Sequence, residues 1–322
     1  MTCAERGTLV RRAKSALWGV AVGDAFGKMT EGYWPPEVVL RYGGRLRGFR
    51  PPVPASPDRD GVWGLAEVTD DTRFTVLVAE SIVACGSVNE EDLTRRIVAH
   101  PIKGWPGWEE FCQAIRNGQR LHRTGSGAPT RVPPIGILVP SDQIERLVEE
   151  VYRCCRASHD SRCSIAAACA IAAGYSAVID EKDKDAALQC CLEAARLGEK
   201  HGAEDYLPSV PRWIEWLQRM CPKGGVAPKE RPNPGFSAWE GVPSALYLFR
   251  THDSAASAII EATNWGGDAD SIASMAGGLL ATRYPNSLPS EWKTAVEERN
   301  HLPLDRLADA LVDLRLKAMT NG

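Results

Sequence analysis

The sequence predicts an all-α protein of a dozen or more helices. Three observations carry that expectation. Apolar residues recur with a helical period of about 3.6 along nearly the whole chain. Convincing apolar–polar alternation of the kind strands show is absent. No stretch reads as a linker between two self-sufficient cores, so residues 1–322 are expected to form a single domain.

The elements follow in order. Leu9, Val10, Ala13, Leu17, Val20 and Ala21 line one face of a first helix, and Asp24 extends that stripe by a turn. Phe74, Leu77, Val78, Ile82 and Cys85 repeat the pattern. Residues 161–179 are apolar on every side and are expected at the centre; the most apolar stretch, Ile165 to Ile179, is Ala-rich, too short and too weakly hydrophobic to be expected to span a bilayer. Further helical patterns cover 141–156, 183–200, 205–220, 241–250, 253–264, 268–283 and 303–318, with little else after Pro285. Residues 43–66 and 222–238 are rich in Pro, Gly and charge and read as long loops, which often border functional sites.

Composition excludes several function classes. Apolar residues make up 44% of the chain and charged residues 25%, as in an ordinary globular protein. A net charge of -3 gives no general attraction to nucleic acid or to an anionic membrane, so neither is expected as a partner. The first twenty residues lack a secretory pattern, which points to the cytoplasm. The ten cysteines show no CxxC spacing and are expected as reduced, packed thiols. A monomer is expected.

Acidic residues cluster where helices begin or end. Asp24 and Glu31 lie in GVAVGDAFGKMTEG, Thr69, Asp70, Asp71 and Thr72 precede the second apolar repeat, and Asp268, Asp270 and Ser271 open the small-residue run GGDADSIASMAGGLLA. Thr and Asp are good N-caps, and negative charge suits a helix N-terminus, but one cap normally suffices. Two like charges 4 Å apart repel by about 4 kcal/mol at an effective dielectric of 20. Lys28 and Arg73 are the only cations within the motifs. A gathered set of these carboxylates therefore calls for divalent cations, and oxygen-only ligands select Mg²⁺, Mn²⁺ or Ca²⁺ over zinc. The five aspartates suit about two ions, with Glu31 or waters completing the shell. Such a pair near helix ends points to hydrolysis or transfer at a phosphate- or sugar-bearing substrate.

Two weaker signals accompany the acids. In HRTGSGAPTRVPPIGIL, Gly125, Ser126, Gly127 and Ala128 are small enough to let backbone N–H groups approach a phosphate, although a plain surface loop would look the same. His159 lies in RASHDSRCS just before the Ala-rich helix, with Ser158 and Asp160 as candidate N-caps. It could meet a ligand at the helix's positive end or simply pack.

In this order the motifs resemble the ADP-ribosylglycohydrolase family, of the dinitrogenase reductase-activating glycohydrolase and ADP-ribosyl-acceptor hydrolase type. GDAFGKMTE, VTDDT, GSGAPTRVPPIG, SHDS and GGDADSIASMAGGLLA each look like a family motif, over about residues 8–284. The resemblance implies a compact orthogonal helix bundle and a cleft holding two Mg²⁺ or Mn²⁺ ions. It implies Thr69, Asp70, Asp71, Asp268, Asp270 and Ser271 as metal ligands, with Glu31, Asp70 and Asp71 serving catalysis. Gly125, Ser126, Gly127, Ala128 and His159 would hold ADP-ribose, and Asp24 would support the ligands from behind. The substrate class it implies is ADP-ribose joined through C1″ to an acceptor, which is arginine by the GDAFG opening, with serine or a small ADP-ribosyl compound open. The bearer of that ADP-ribose could be a modified protein. Ser126 and Thr130 stand where the family carries Asn and Met, and Ser271 where Thr is usual. A non-catalytic ADP-ribose-binding protein is the alternative reading, and an Mg²⁺-dependent nucleotide phosphohydrolase a third.

Overall fold

The structure, a computed structural model, describes residues 3–53, 63–103, 107–221 and 230–320. Fifteen α-helices account for most of them: α1 (Cys3–Gly27), α2 (Pro35–Tyr42), α3 (Asp70–Cys85), α4 (Glu90–Ala99), α5 (Trp108–Arg116), α6 (Pro133–Leu138), α7 (Ile144–Cys155), α8 (Arg162–Ile179), α9 (Lys184–Gly198), α10 (Val210–Met220), α11 (Ala238–Thr251), α12 (Ala255–Trp265), α13 (Ala269–Arg283), α14 (Ser290–Asn300) and α15 (Leu304–Thr320). A 3₁₀ turn, Pro129–Arg131, leads into α6. Among the described residues there is no strand, only isolated bridges at Gly125–Ser237 and Ser161–Ala203.

The long periodic elements appear where the pattern puts them. The short ones do not show in it. Helix α4 buries only Asp92, Leu93 and Ile97, so its apolar stripe is too thin to register, and the Asn89 side chain caps it by accepting from Asp92 N–H. Helices α2, α5 and α6 are six to nine residues long, below the length at which a 3.6 period is visible. The tail after Pro285 holds two helices rather than one, because the polar α14 buries just Trp292 and Val296. Helix α10 starts at Val210, later than the 205–220 expectation, with Pro211 in its first turn. Of the two expected loops, residues 54–62 and 222–229 lie outside the described residues; 43–53 and 230–237 are non-helical as expected, while 238 already belongs to α11.

Helix α8 is the centre. Every residue after Arg162 is buried, and α6, α7, α9, α11 and α13 pack around it. Its eighteen residues are, by length and composition alone, enough to cross a membrane, a span three residues longer than the 165–179 stretch; 94% of it is buried against other helices. Cysteines 112, 154, 155, 163, 169, 190, 191 and 221 are buried free thiols, and Cys85 is exposed.

The closest helix pair is α1 with α13. Gly19, Gly23 and Gly27 repeat every fourth residue, on one face of α1. A Cβ on Gly19 would fall 2.7 Å from Gly277 O and Gly278 Cα, one on Gly23 2.2 Å from Ala273 O, and one on Gly27 2.3 Å from Ala269 O. The partner numbers fall as the α1 numbers rise, so the two helices run antiparallel with backbones nearly touching. The C-terminal end of α1 therefore meets the N-terminal end of α13, and each of those ends carries an acidic motif.

Candidate metal and ADP-ribose site

Asp24, on the last turn of α1, is fully buried. Its Oδ1 accepts the Thr69 hydroxyl at 2.7 Å, and its Oδ2 accepts Thr69 N–H at 2.9 Å, Thr72 N–H at 3.1 Å and the Thr72 hydroxyl. One carboxylate thus fixes the entry to α3. Thr69 is the N-cap of that helix, accepting from Asp71 N–H at 3.3 Å. With capping done by Thr69 and bracing by Asp24, the carboxylates of Asp70 and Asp71 are not needed to start the helix.

The same holds for the second motif. Asp268 occupies the N-cap position of α13 yet makes no side-chain cap bond. Its Oδ2 instead accepts the Ser126 hydroxyl at 2.5 Å. Asp270 Oδ1 accepts Ser271 N–H at 2.9 Å. Asp268, Asp270 and Ser271 are buried, at 4%, 5% and 6% exposure.

Two glycines set this motif. Gly266 (φ 66°, ψ -147°) occupies a backbone region that L side chains avoid, and Gly267 follows at φ 64°. Gly267 N–H donates to Tyr33 O and Gly32 N–H to Gly267 O, both at 2.8 Å, while Asp268 N–H donates to Pro234 O at 2.8 Å. The turn carrying Glu31, the 230–237 segment and the start of α13 are thereby stitched together. The Thr30 hydroxyl adds a 2.6 Å bond to Thr263 O. Glu31 is half-buried; the Lys28 ammonium pairs with it and lies 4.6 Å from the centre of the Trp63 ring.

The acids feel one another. Burial, then Asp24 and Glu31, raise Asp70 to about 6. Burial, then Asp70, Asp24 and Asp268, hold Asp71 well above the usual carboxylate range. Burial is the main cause raising Asp268 to about 7, with Glu31 adding to it and the Ser126 bond opposing it. Asp270 is pushed well up by burial and then by Glu31, Asp268 and Asp71. Mutual repulsion across α3, α13 and the Glu31 turn places the three acidic segments in one neighbourhood.

The glycine loop borders it. Ala238 N–H donates to Thr124 O at 2.8 Å, pinning the loop to α11. Ser126 reaches Asp268, as above. Thr130, one 3₁₀ turn on, donates its hydroxyl to Asp71 Oδ1 at 2.7 Å. The sequence marks Thr130 only as a departure at a nucleotide-contacting position; it contacts the first acidic motif instead. Gly125 and Gly127 are part-exposed and Ala128 is buried. His159, 7% exposed, backs this loop: a Cβ on Gly127 would lie 3.3 Å from its Cε1 and Nε2. The N-cap of α8 is Ser161, accepting from Ser164 N–H at 3.1 Å, and neither Ser158 nor Asp160. Ser158 bonds His159 Nδ1 instead.

The donor set fits a hard divalent cation. Asp71 Oδ2 is buried without a hydrogen-bond partner, and a buried carboxylate oxygen left bare is costly. Hydroxyls of Thr69 and Ser271 stand in the same segments. Among the described residues no three Asp, Glu, His or Cys side chains close on one point. An ion here would fill its shell with hydroxyl, water and substrate oxygens, as Mg²⁺ commonly does.

Known proteins resemble this chain along nearly its whole length. The uncharacterized protein YegU of Escherichia coli (strain K12) is 26% identical over 326 residues, covering 94% of this chain and 97% of that one. ADP-ribosyl-[dinitrogen reductase] glycohydrolase of Rhodospirillum rubrum is 23% identical, covering 94% and 96%. A solved structure titled ADP-ribosylglycohydrolase-related protein complex superposes with a TM-score of 0.69 at 22% identity, covering 96% of this chain and 99% of that chain, a likeness of fold. The family model for ADP-ribosylglycohydrolase matches residues 5–320, and the chain belongs to that family.

Proposed function

We propose that this protein is a divalent-metal-dependent hydrolase that cleaves the C1″ bond between ADP-ribose and an acceptor. Family membership supports the coarser reading, hydrolysis of an ADP-ribose linkage. The observation that supports the metal is the buried acid set: Asp71, Asp268 and Asp270 are each at most 5% exposed, and Asp71 Oδ2 lacks a partner.

Thr69, Asp70 and Asp71 would hold two Mg²⁺ or Mn²⁺ ions together with Asp268, Asp270 and Ser271. When bound, the ions neutralise the acids and polarise ribose oxygens. Gly125, Ser126, Gly127 and Ala128 would receive the diphosphate on backbone N–H groups, with His159 beside them. Orientation of the ribose between the two acidic motifs sets C1″ near Glu31. As the acceptor departs, positive charge grows on the ribose, and the Glu31 carboxylate, outside the ligand set, favours it. Glu31 takes a proton from the attacking water, whose oxygen bonds to C1″; the proton passes to the acceptor. General base assistance of this kind contributes about 10²–10⁴-fold.

Arginine is the acceptor proposed first, from the GDAFG opening. The Lys28 ammonium beside Glu31 makes neutral acceptors worth equal testing. The test offers ADP-ribosyl-arginine, ADP-ribosyl-serine and small ADP-ribosyl compounds to the purified protein with Mg²⁺ and with Mn²⁺. Release of intact ADP-ribose, lost in Glu31→Gln, is expected. Absence of release from every substrate by folded, metal-binding protein would overturn the proposal, and AMP as product would indicate a phosphohydrolase.

A further inference from the structure

Behind the glycine loop lies a chain of polar contacts that the reaction as described does not use. Arg131 is 1% exposed. Its Nη2 donates to the Cys154 carbonyl at 3.1 Å and to the Ser158 hydroxyl oxygen at 2.6 Å. Ser158 Oγ in turn lies 2.9 Å from His159 Nδ1. The far edge of that imidazole, Cε1 and Nε2, backs Gly127.

The direction of each bond can be worked out. A serine hydroxyl has one proton and two lone pairs. A guanidinium only donates, so Arg131 occupies a lone pair of Ser158. The Ser158 proton then has two acceptors in reach, the Cys155 carbonyl at 3.5 Å and His159 Nδ1 at 2.9 Å. The first distance is at the outer limit for an O–H donor and the second is near the ordinary range. The proton therefore goes to Nδ1. A nitrogen that accepts is bare, and a neutral imidazole with a bare Nδ1 carries its own proton on Nε2. The ring is neutral here: burial, then the cations Arg131 and Arg123, hold its pKa well below the usual histidine value.

We propose that Arg131 and Ser158 are positioning residues that fix His159 as the Nε2–H tautomer, so that the ring offers a hydrogen bond to an anion seated on the Gly125–Ala128 loop. The proposal rests on the reading of that loop as the ADP-ribose diphosphate cradle. With the other tautomer, a bare Nε2 would present its lone pair to a phosphate oxygen and repel it. The relay makes the ring a donor before any ligand arrives, which removes an ordering cost from binding.

Nitrogen-15 NMR of the full-length protein tests this without ligand, because protonated and bare ring nitrogens resonate far apart. The His159 signals are assigned by their loss in His159→Gln. A bare Nδ1 with a protonated Nε2 is expected in the wild type and in Ser158→Thr, which keeps the hydroxyl. Ser158→Ala is expected to shift the ring toward the Nδ1–H form or a mixture. By calorimetry, ADP-ribose should bind Ser158→Ala about tenfold or more weakly, the usual loss for a hydrogen bond to a charged group, and Ser158→Thr near the wild-type level. A protonated Nδ1 in the wild type, or an unchanged nitrogen pattern in Ser158→Ala, would overturn the relay. Should the wild type fail to bind ADP-ribose at all, the cradle reading falls, while the nitrogen pattern still decides the tautomer. A melting curve on each variant separates loss of fold from loss of the relay.

Discussion

Asp24 and Asp71 lie in one neighbourhood and do opposite things. Asp24 has no exposure and four hydrogen bonds, all to the backbone and hydroxyls that begin α3. It is a brace, and its removal would orphan several buried donors at about 1–3 kcal/mol each. Asp71 accepts one hydroxyl on Oδ1 and none on Oδ2. A carboxylate so placed destabilises the fold unless something neutralises it. The same reasoning gives a pH signature for metal-free protein. Asp268 rises from an ordinary 3.8 to about 7 in the fold. Above the ordinary value the unfolded chain gives up its proton while the folded one keeps it, so stability falls as pH rises from about 4 to about 7. Thermal melts in chelator across that window should show this decline, and Asp268→Asn should make it shallower, since Asp70, Asp71 and Asp270 contribute in the same sense, leaving the variant the more stable of the two near neutrality. Equal slopes for both proteins would show that Asp268 ionises in the fold as it does in the unfolded chain.

At the scale of elements, the site depends on how closely two backbones approach. The Gly19, Gly23 and Gly27 stripe lets α1 lie against α13, and the Gly266–Gly267 turn fixes the angle at which α13 begins. A Cβ on Gly267 would fall 1.9 Å from Pro234 O, and one on Gly266 1.9 Å from Tyr33 O. Gly267→Ala is therefore expected to cost roughly 2 kcal/mol or more, combining overpacking with an L residue in left-handed backbone. It should also weaken metal binding by displacing Asp268. Urea unfolding and a metal titration on the same variant check both halves, and wild-type behaviour in either would contradict the geometry. Much of this was legible beforehand. The long apolar periods locate α1, α3 and α8 through α13, and the surplus of acids over capping needs marks the carboxylates. What the pattern could not supply is pairing between distant positions. Thr130 meeting Asp71 and Ser126 meeting Asp268 are consequences of tertiary packing, which local spacing does not encode. The short α2, α4, α5 and α6 were missed because few of their residues are apolar, or because they span too few turns.

For the whole molecule, the acidic segments come from opposite ends of the chain: the α1 end and Glu31 turn, the start of α3, and the start of α13. A cation that joins them ties the first third of the sequence to the last. Binding to the folded state alone should then stabilise the entire bundle in one transition, by about 2.7 kcal/mol when the ion is present at a hundred times its dissociation constant. Mg²⁺ or Mn²⁺ added to chelated wild type near neutral pH is expected to raise the melting temperature as a single cooperative step. Hydrogen exchange should slow in α1 as well as at the starts of α3 and α13, since α1 packs against both helices. In Asp70→Asn and Asp268→Asn the shift should shrink or vanish, even though these variants begin with less internal repulsion. A rise confined to one segment, or one of equal size in the Asn variants, would place the cation elsewhere on the protein and detach the acids from the chemistry proposed for them.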